Sequence, residues 1–304
     1  MQFAIPKPAS RAISLSPEVT LGYVHLTVPD FKRSLPFYQD VLGFRVQRIE
    51  KNVAHLGAGS PADAGSPAGA GGADLLLLTE NPDAKTPRRA TGLYHFAILV
   101  PSRFELARSL RNLAQHDIQL GFGDHIVSEA IYLSDPDGNG IEVYGDRPRS
   151  EWYDKDGNFQ MGTLPVDVRG VMRELEHETD TRQGLHRDTR LGHIHLKIAN
   201  VNRDAAFYRD VIGFDEMANI GSAAFLSAGG YHHHLGMNVW ESANASPPPP
   251  DAVGLQYFTV NLPDAAEFSR VTNRLLQAGV SLEETDAGLL VRDPSQNGIV
   301  LTTK

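Results

Sequence analysis

Leu21-Gly22-Tyr23-Val24-His25-Leu26 returns as Leu191-Gly192-His193-Ile194-His195-Leu196, and the match continues downstream. Phe37-Tyr38-Gln39-Asp40-Val41-Leu42-Gly43-Phe44 is answered by Phe207-Tyr208-Arg209-Asp210-Val211-Ile212-Gly213-Phe214, each residue 170 positions after its counterpart (Leu21 to Leu191, Phe44 to Phe214). The first segment of each copy has the alternating apolar pattern of a strand. The second places aromatic and aliphatic residues at helical spacing and ends at a glycine suited to a helix C-terminus. A constant offset held across strand and helix marks an internal duplication.

A second pair of copies lies between these. Gly92-Leu93-Tyr94-His95-Phe96 resembles Gly254-Leu255-Gln256-Tyr257-Phe258, each running into a strand that ends at Pro101 or Pro263. Asp135-Pro136 with Asn139-Gly140-Ile141 matches Asp293-Pro294 with Asn297-Gly298-Ile299, and helical patterns, Leu110 to Ile118 and Leu275 to Val280, fall between. The chain therefore reads as an α+β protein of four βαβββ modules, at 19–88, 92–147, 190–243 and 253–304. Two domains follow, 19–147 with modules one and two and 190–304 with modules three and four, joined by a connector at 148–189. Val171 to His177 is predicted to add a short helix there. Gly57 to Gly72, rich in Gly, Ala, Ser and Pro, is predicted as a flexible loop. The Pro247-Pro248-Pro249-Pro250 run is predicted as a stiff link between the last two modules.

Composition bounds the function. A length of 304 residues suits two domains, and 41% hydrophobic with 21% charged residues is ordinary globular usage. A net charge of −9 without a basic run argues against a nucleic-acid partner. The absence of cysteine excludes disulfides, thiolate metal sites and a cysteine nucleophile. Met1 to Ser16 does not read as a secretion signal, and no span of about 18 apolar residues is present to cross a membrane. The expected location is the cytoplasm, and homo-oligomers are common for such chains.

Four modules of this kind resemble the vicinal oxygen chelate superfamily, which includes glyoxalases, epimerases, antibiotic-resistance proteins and extradiol dioxygenases. That resemblance implies the glyoxalase fold, with modules closing into two cup-shaped barrels. The stretch from Gly123 to Glu142 narrows the choice. It reads Gly123-Asp124-His125, five residues, Ile131-Tyr132, two residues, Asp135-Pro136, Gly138 and Glu142. This is similar, position by position, to the signature of extradiol ring-cleavage dioxygenases of the catechol 2,3-dioxygenase type. The resemblance implies that Glu142, His95 and His193 are the metal ligands. It further implies that His125 and Tyr132 contact substrate or shuttle protons, and that His233, in Tyr231-His232-His233-His234-Leu235-Gly236, is the acid–base histidine.

The residue types suit that chemistry. Two neutral imidazoles and one carboxylate on one face of an octahedral ion leave three positions open, the arrangement of non-haem Fe(II) oxygenases, and the same ligands accept Mn(II). A catechol needs two adjacent positions and dioxygen the third. A histidine near neutrality can take and return the proton. Alternation does not separate His193 from His195, which share a strand face. In a strand, His233 would face away from His232 and His234. His55, His116, His177 and His186 have no motif support and read as surface or loop residues.

In the familiar two-domain dioxygenases the ligands come from two consecutive modules of one half. Here His95 and Glu142 fall in module two and His193 and His233 in module three. Module one has Tyr23 at the ligand position, and module four has Tyr257 and Val300. Modules two and three are therefore expected to build the active cup and modules one and four an inactive one, within a chain or by exchange between subunits. The expected activity is 2,3-cleavage of a catechol to a 2-hydroxymuconate semialdehyde-type product in aromatic catabolism. The rivals are a glyoxalase-like lyase or isomerase, which would call for a second glutamate ligand, and a non-enzymatic binder of small aromatic compounds.

Overall fold

A computed structural model describes residues 2–5, 11–59, 72–179 and 183–303. Residues 60–71 of the predicted glycine-rich loop lie outside the described residues. The elements run β1 (Gln2–Ile5), β2 (Thr20–Val28), α1 (Phe31–Pro36), β3 (Arg45–Glu50), β4 (Val53–Gly57), β5 (Asp74–Glu80), β6 (Gly92–Leu99), α2 (Arg103–Leu113), β7 (Gly121–Asp124), β8 (Ser128–Ser134), β9 (Gly140–Asp146), β10 (Phe159–Gly162) and α3 (Val168–Arg173). They continue with β11 (Arg190–Lys197), α4 (Val201–Ala206), β12 (Asp215–Asn219), β13 (Ala223–Ser227), β14 (Leu235–Asn238), β15 (Gly254–Leu262), α5 (Ala265–Gln277), β16 (Glu283–Thr285), β17 (Gly288–Arg292) and β18 (Gly298–Thr303). The strand–helix–three-strand order holds in all four modules.

Each module's helix starts at a side-chain cap. Asp30, Ser102, Asn200 and Asp264 accept from the backbone N–H of Lys32, Glu105, Arg203 and Glu267. α1 and α4 then widen into π-helical turns, Phe37–Val41 and Phe207–Ile212. The second ends at Gly213, whose φ of 108° is left-handed and where a Cβ would stand 2.3 Å from the Ile13 carbonyl oxygen. The connector helix α3 begins earlier than its apolar pattern suggests, because Asp167 caps Gly170 N–H.

Two eight-stranded sheets result. One has the order β12-β13-β14-β11-β6-β9-β8-β7, the other β16-β17-β18-β15-β2-β5-β4-β3. The first joins strands of modules three and two, the second strands of modules four and one, as the divided ligand set led us to expect. Both are the curled α+β sheets of the glyoxalase fold. The closing strand of a module runs parallel to its opening strand, β14 beside β11 and β18 beside β15, while its inner hairpins are antiparallel. Apolar faces supply the core: Val24, Leu26, Phe96, Ile194, Leu196 and Phe258 are at most 1% exposed. No helix among the described residues is long and apolar enough to cross a membrane.

A helix-to-turn junction recurs in both halves of the repeat. Within residues 28–82 and 97–191, the Tyr38 hydroxyl donates to Asp135 (2.8 Å), whose carboxylate also accepts from Asp137 N–H, Asn139 N–H and the Asn139 amide. Within residues 192–304, Tyr208 donates to Asp293 (3.0 Å), which accepts from Asn297 in the same way. Beside these contacts the polar residues are exchanged. In the first junction Ser34 and Arg33 on the helix bond to Asp137 on the turn. In the second, Arg203 on the helix bonds to its neighbour Asp204 and to Ser295 on the turn.

Candidate metal centre

The order β11-β6-β9 sets His193, His95 and Glu142 on three adjacent strands. Alternation along β11 turns Ile194 and Leu196 to one face and His193 and His195 to the other. Tyr132 on β8 stands directly opposite Glu142 in register and shares its face. Ligand atoms of His95, Glu142 and His193 all lie within 4.8 Å of one another, and all three residues are buried. The two Nε2 atoms are 3.4 Å apart. Two nitrogens bound at right angles to one ion, each about 2.1 Å away, stand about 3.0 Å apart. The spacing and the two-imidazole, one-carboxylate donor set fit a divalent metal ion.

The two histidines that share a face of β11 have different neighbours. His195 Nε2 lies 3.0 Å from the Asn238 side-chain amide, and its ring meets that of His95 edge-on at 4.9 Å. His193 is one of the three residues whose ligand atoms cluster. Gly236 makes room for the His195 ring, because a Cβ there would stand 2.8 Å from Nδ1.

The segment Tyr231 to His234 is irregular, not strand; β14 begins only at Leu235. The alternation expected for the three histidines therefore fails. The His233 ring lies tilted against His193 with centroids 4.1 Å apart, and His232 is close by, its Nδ1 2.8 Å from that of His233. His234 turns to the Ser227 hydroxyl (3.0 Å). His55 also differs from its reading as a surface or loop residue: it lies on β4, paired with Asp74 and Arg48 at 2.8 Å each.

His125 and Tyr132 meet each other, Nε2 to phenol oxygen at 2.6 Å. Tyr132 packs against a buried cluster of Ala97, Leu99, Ala130 and Tyr144. The neighbouring Asp124 is gripped by both terminal nitrogens of Arg147. Burial works against the Asp124 carboxylate, but the hydrogen bonds from Arg147 and from Ile126 N–H hold its pKa below the ordinary value. Asn238, His232 and the Gly162 carbonyl that receives His125 Nδ1 (2.8 Å) were not among the residues singled out from sequence. Asn238 and Gly162 carry no motif, and His232 was hidden by an assumed strand.

Comparison with known proteins gives a consistent picture. The sequence profile of the Glyoxalase/Bleomycin resistance protein/Dioxygenase superfamily matches residues 20–143 and 190–301. A catechol-2,3-dioxygenase of Bacillus subtilis (strain 168) is 48% identical over 286 residues, covering 92% of this chain and 96% of that protein. Among solved structures, a candidate dioxygenase from Bacillus subtilis aligns with a TM-score of 0.61 at 11% identity, over 97% of this chain and 86% of that one. Glyoxalase I from Zea mays aligns with a TM-score of 0.53 at 13% identity, over 94% and 93%. These two structural likenesses concern the fold alone. With both halves matched by the profile and a relative nearly half identical along almost its whole length, the chain belongs to the Glyoxalase/Bleomycin resistance protein/Dioxygenase superfamily and, within it, to the catechol-2,3-dioxygenase-like enzymes.

Proposed function

We propose that the protein cleaves catechol or a substituted catechol between C2 and C3 with dioxygen, at an Fe(II) ion held by His95, His193 and Glu142. Both oxygen atoms enter the product, a 2-hydroxymuconate semialdehyde. The buried cluster of two imidazoles and one carboxylate carries the reading, and the 48% identical catechol-2,3-dioxygenase supports the substrate class. Held by His95, His193 and Glu142, the metal would bring the catechol oxygens and dioxygen together and would lower the phenol pKa.

The chain's own residues bind, orient and move protons. His233, whose ring lies against that of His193, would take a proton from the substrate and return it, and the contact between its Nδ1 and His232 Nδ1 supports that reading. Tyr132, on the Glu142 face, offers a phenol oxygen to the bound ring, and His125 holds that phenol in place. Buried Ala97, Leu99, Ala130 and Tyr144 exclude water beside it.

The test is anaerobic loading with Fe(II), then catechol and air, following the yellow ring-opened semialdehyde and oxygen uptake. One dioxygen consumed per yellow product is expected. Bound metal with no product from several catechols would favour a lyase or isomerase, and failure to bind metal would favour a binding protein.

A further inference from the structure

Residues 11–19 lead into β2 of module one, yet they are fastened to module three. Leu15 N–H donates to the Gly213 carbonyl (2.8 Å), and the Leu15 side chain is buried. Arg11 donates to the carbonyls of Arg209 (2.8 Å) and Phe214 (2.7 Å) and pairs with Asp210 (3.0 Å). The Ser14 hydroxyl donates to the Asp215 carboxylate (2.6 Å) at the start of β12. Helix α5 holds the same segment: Glu267 accepts from Ser16 N–H (3.1 Å), and Arg270 donates to the Ser14 carbonyl (2.9 Å).

The next residue of this arm meets the turn that leads to the histidine loop. A Cβ at Gly229 would stand 2.6 Å from Pro17 Cβ and 2.7 Å from Pro17 Cα, so the proline lies directly on the glycine backbone. Gly229 and Gly230 are both left-handed, with φ of 62° and 65°, a conformation that glycine adopts without steric cost. They carry the chain from β13 towards His232 and His233, and Tyr231 N–H closes the turn on the Ala228 carbonyl (3.3 Å). The far end of the loop is pinned. His234 N–H donates to the Leu226 carbonyl (2.9 Å), and its own carbonyl accepts from Ile194 N–H (3.0 Å).

The equivalent segment ahead of β11 has the same backbone contact and different side chains. Leu185, 170 positions after Leu15, donates its N–H to the Gly43 carbonyl (2.9 Å) and is equally buried. Gly184 stands where the first arm has Ser14, however, and Arg187 stands where it has Pro17. The serine hook and the proline cover therefore belong to the arm that lies on the histidine-bearing module.

We infer that residues 11–19 are a positioning arm for the acid–base loop: anchored on module three by Arg11, Ser14 and Leu15, they press Pro17 onto the Gly229–Gly230 turn and so fix where His232 and His233 stand. The inference rests on His233 moving protons, as the proposed function has it. Firm backing matters there, because a group misplaced by about 1 Å can cost about a hundredfold in rate.

Hydrogen exchange read by mass spectrometry on the full-length, metal-free protein tests the arm without turnover. In Pro17→Gly and in Ser14→Ala, the amides of residues 228–234 are expected to exchange about tenfold faster than in the parent. Arg187→Gly, the matching change in the other arm, is expected to leave them as they are. Loaded with Fe(II), Pro17→Gly is expected to lose about tenfold in kcat, with KM and iron content unchanged. Unchanged exchange in both variants of the first arm, or equal acceleration in Arg187→Gly, would overturn the inference. Faster exchange in the first arm's variants with kcat untouched would end the part of His233 in the proposed function and leave the arm's hold on the loop standing. Unchanged exchange beside normal ring cleavage would do the reverse.

Discussion

The two eight-stranded sheets place equivalent residues in equivalent positions and differ in what those residues can do. Where β11 has His193, β2 has Tyr23; where β6 has His95, β15 has Tyr257; where β9 has Glu142, β18 has Val300. The paired tips meet in both sheets. The imidazole Nε2 atoms are 3.4 Å apart in one, and the phenol oxygens are 3.4 Å apart in the other. A histidine lies edge-on to each pair, His195 to His95 and His25 to Tyr257, with ring centroids 4.9 Å apart in both. Backbone geometry therefore brings two side-chain ends together whether or not they bind metal. Donor chemistry makes the difference. A phenol must lose its proton to be a strong ligand, yet the Tyr257 phenol pKa is pushed up, first by burial and then by its hydrogen bond with Tyr23. Val300 offers no donor at all.

The comparison breaks most easily at Glu142. Glu142→Ala is expected to lose bound iron and more than about a hundredfold in ring cleavage, since even residues behind a ligand cost 10–100-fold. Metal analysis and oxygen uptake would check it, and retained iron would remove Glu142 from the ligand set. Grafting sharpens the comparison from the other side. Tyr23→His, Tyr257→His and Val300→Glu together are expected to raise the bound metal from one to two per chain. A stoichiometry that stays at one would mean that the second sheet differs in more than its donors.

The pH dependence of stability separates the junctions. Burial, with Asp204 adding to it, pushes the Asp293 carboxyl up to about 6, whereas a carboxyl in an unfolded chain titrates near 4. The folded state then holds a proton that the unfolded chain releases. This group's contribution is greatest below about pH 4 and is lost as the pH rises through 6. A difference of that size corresponds to about 3 kcal/mol. Urea unfolding of Asp293→Asn should lack that fall, so the variant gains on the parent between pH 4 and 7; parallel profiles would refute the assignment. Smaller still, Tyr38→Phe and Tyr208→Phe should each cost about 2 kcal/mol, the range for a hydrogen bond to a charged partner. Unequal denaturation midpoints at neutral pH would show that the junctions are not energetically alike. Last, Gln296 holds a φ of 68° where Gly138 holds 86° in the other turn. Gln296→Gly is expected to stabilise by about 1 kcal/mol through relief of left-handed strain, read as a small rise in melting temperature.

The repeat was legible because strand period, helix spacing and offset coincided over long stretches. Glu142 was singled out by the signature that ends on it, and His95 and His193 by the family resemblance of the segments around them. Sheet order was read indirectly, from the ligand set divided between modules two and three, because hydrogen bonds between β11 and β6 join residues about a hundred positions apart and leave no local pattern. The histidines at 232 to 234 were misread for a physical reason: alternation holds only on a pleated strand, and the chain there is not one. The contact between His125 and the Gly162 carbonyl was not legible, because a backbone atom writes nothing into a residue pattern.

The exchanged residues at the two helix-to-turn junctions have a consequence for folding. Beside its tyrosine–aspartate pair, each junction has one further carboxylate, one serine hydroxyl and one guanidinium, but the acid sits on the turn at Asp137 and on the helix at Asp204. Crossing the partners would press Asp204 against Asp137 and leave Arg33 facing two serines. Two buried like charges repel strongly while an arginine goes unmatched. Modules alike enough in apolar pattern to confuse a folding chain thus carry a polar address that only the right neighbour can answer.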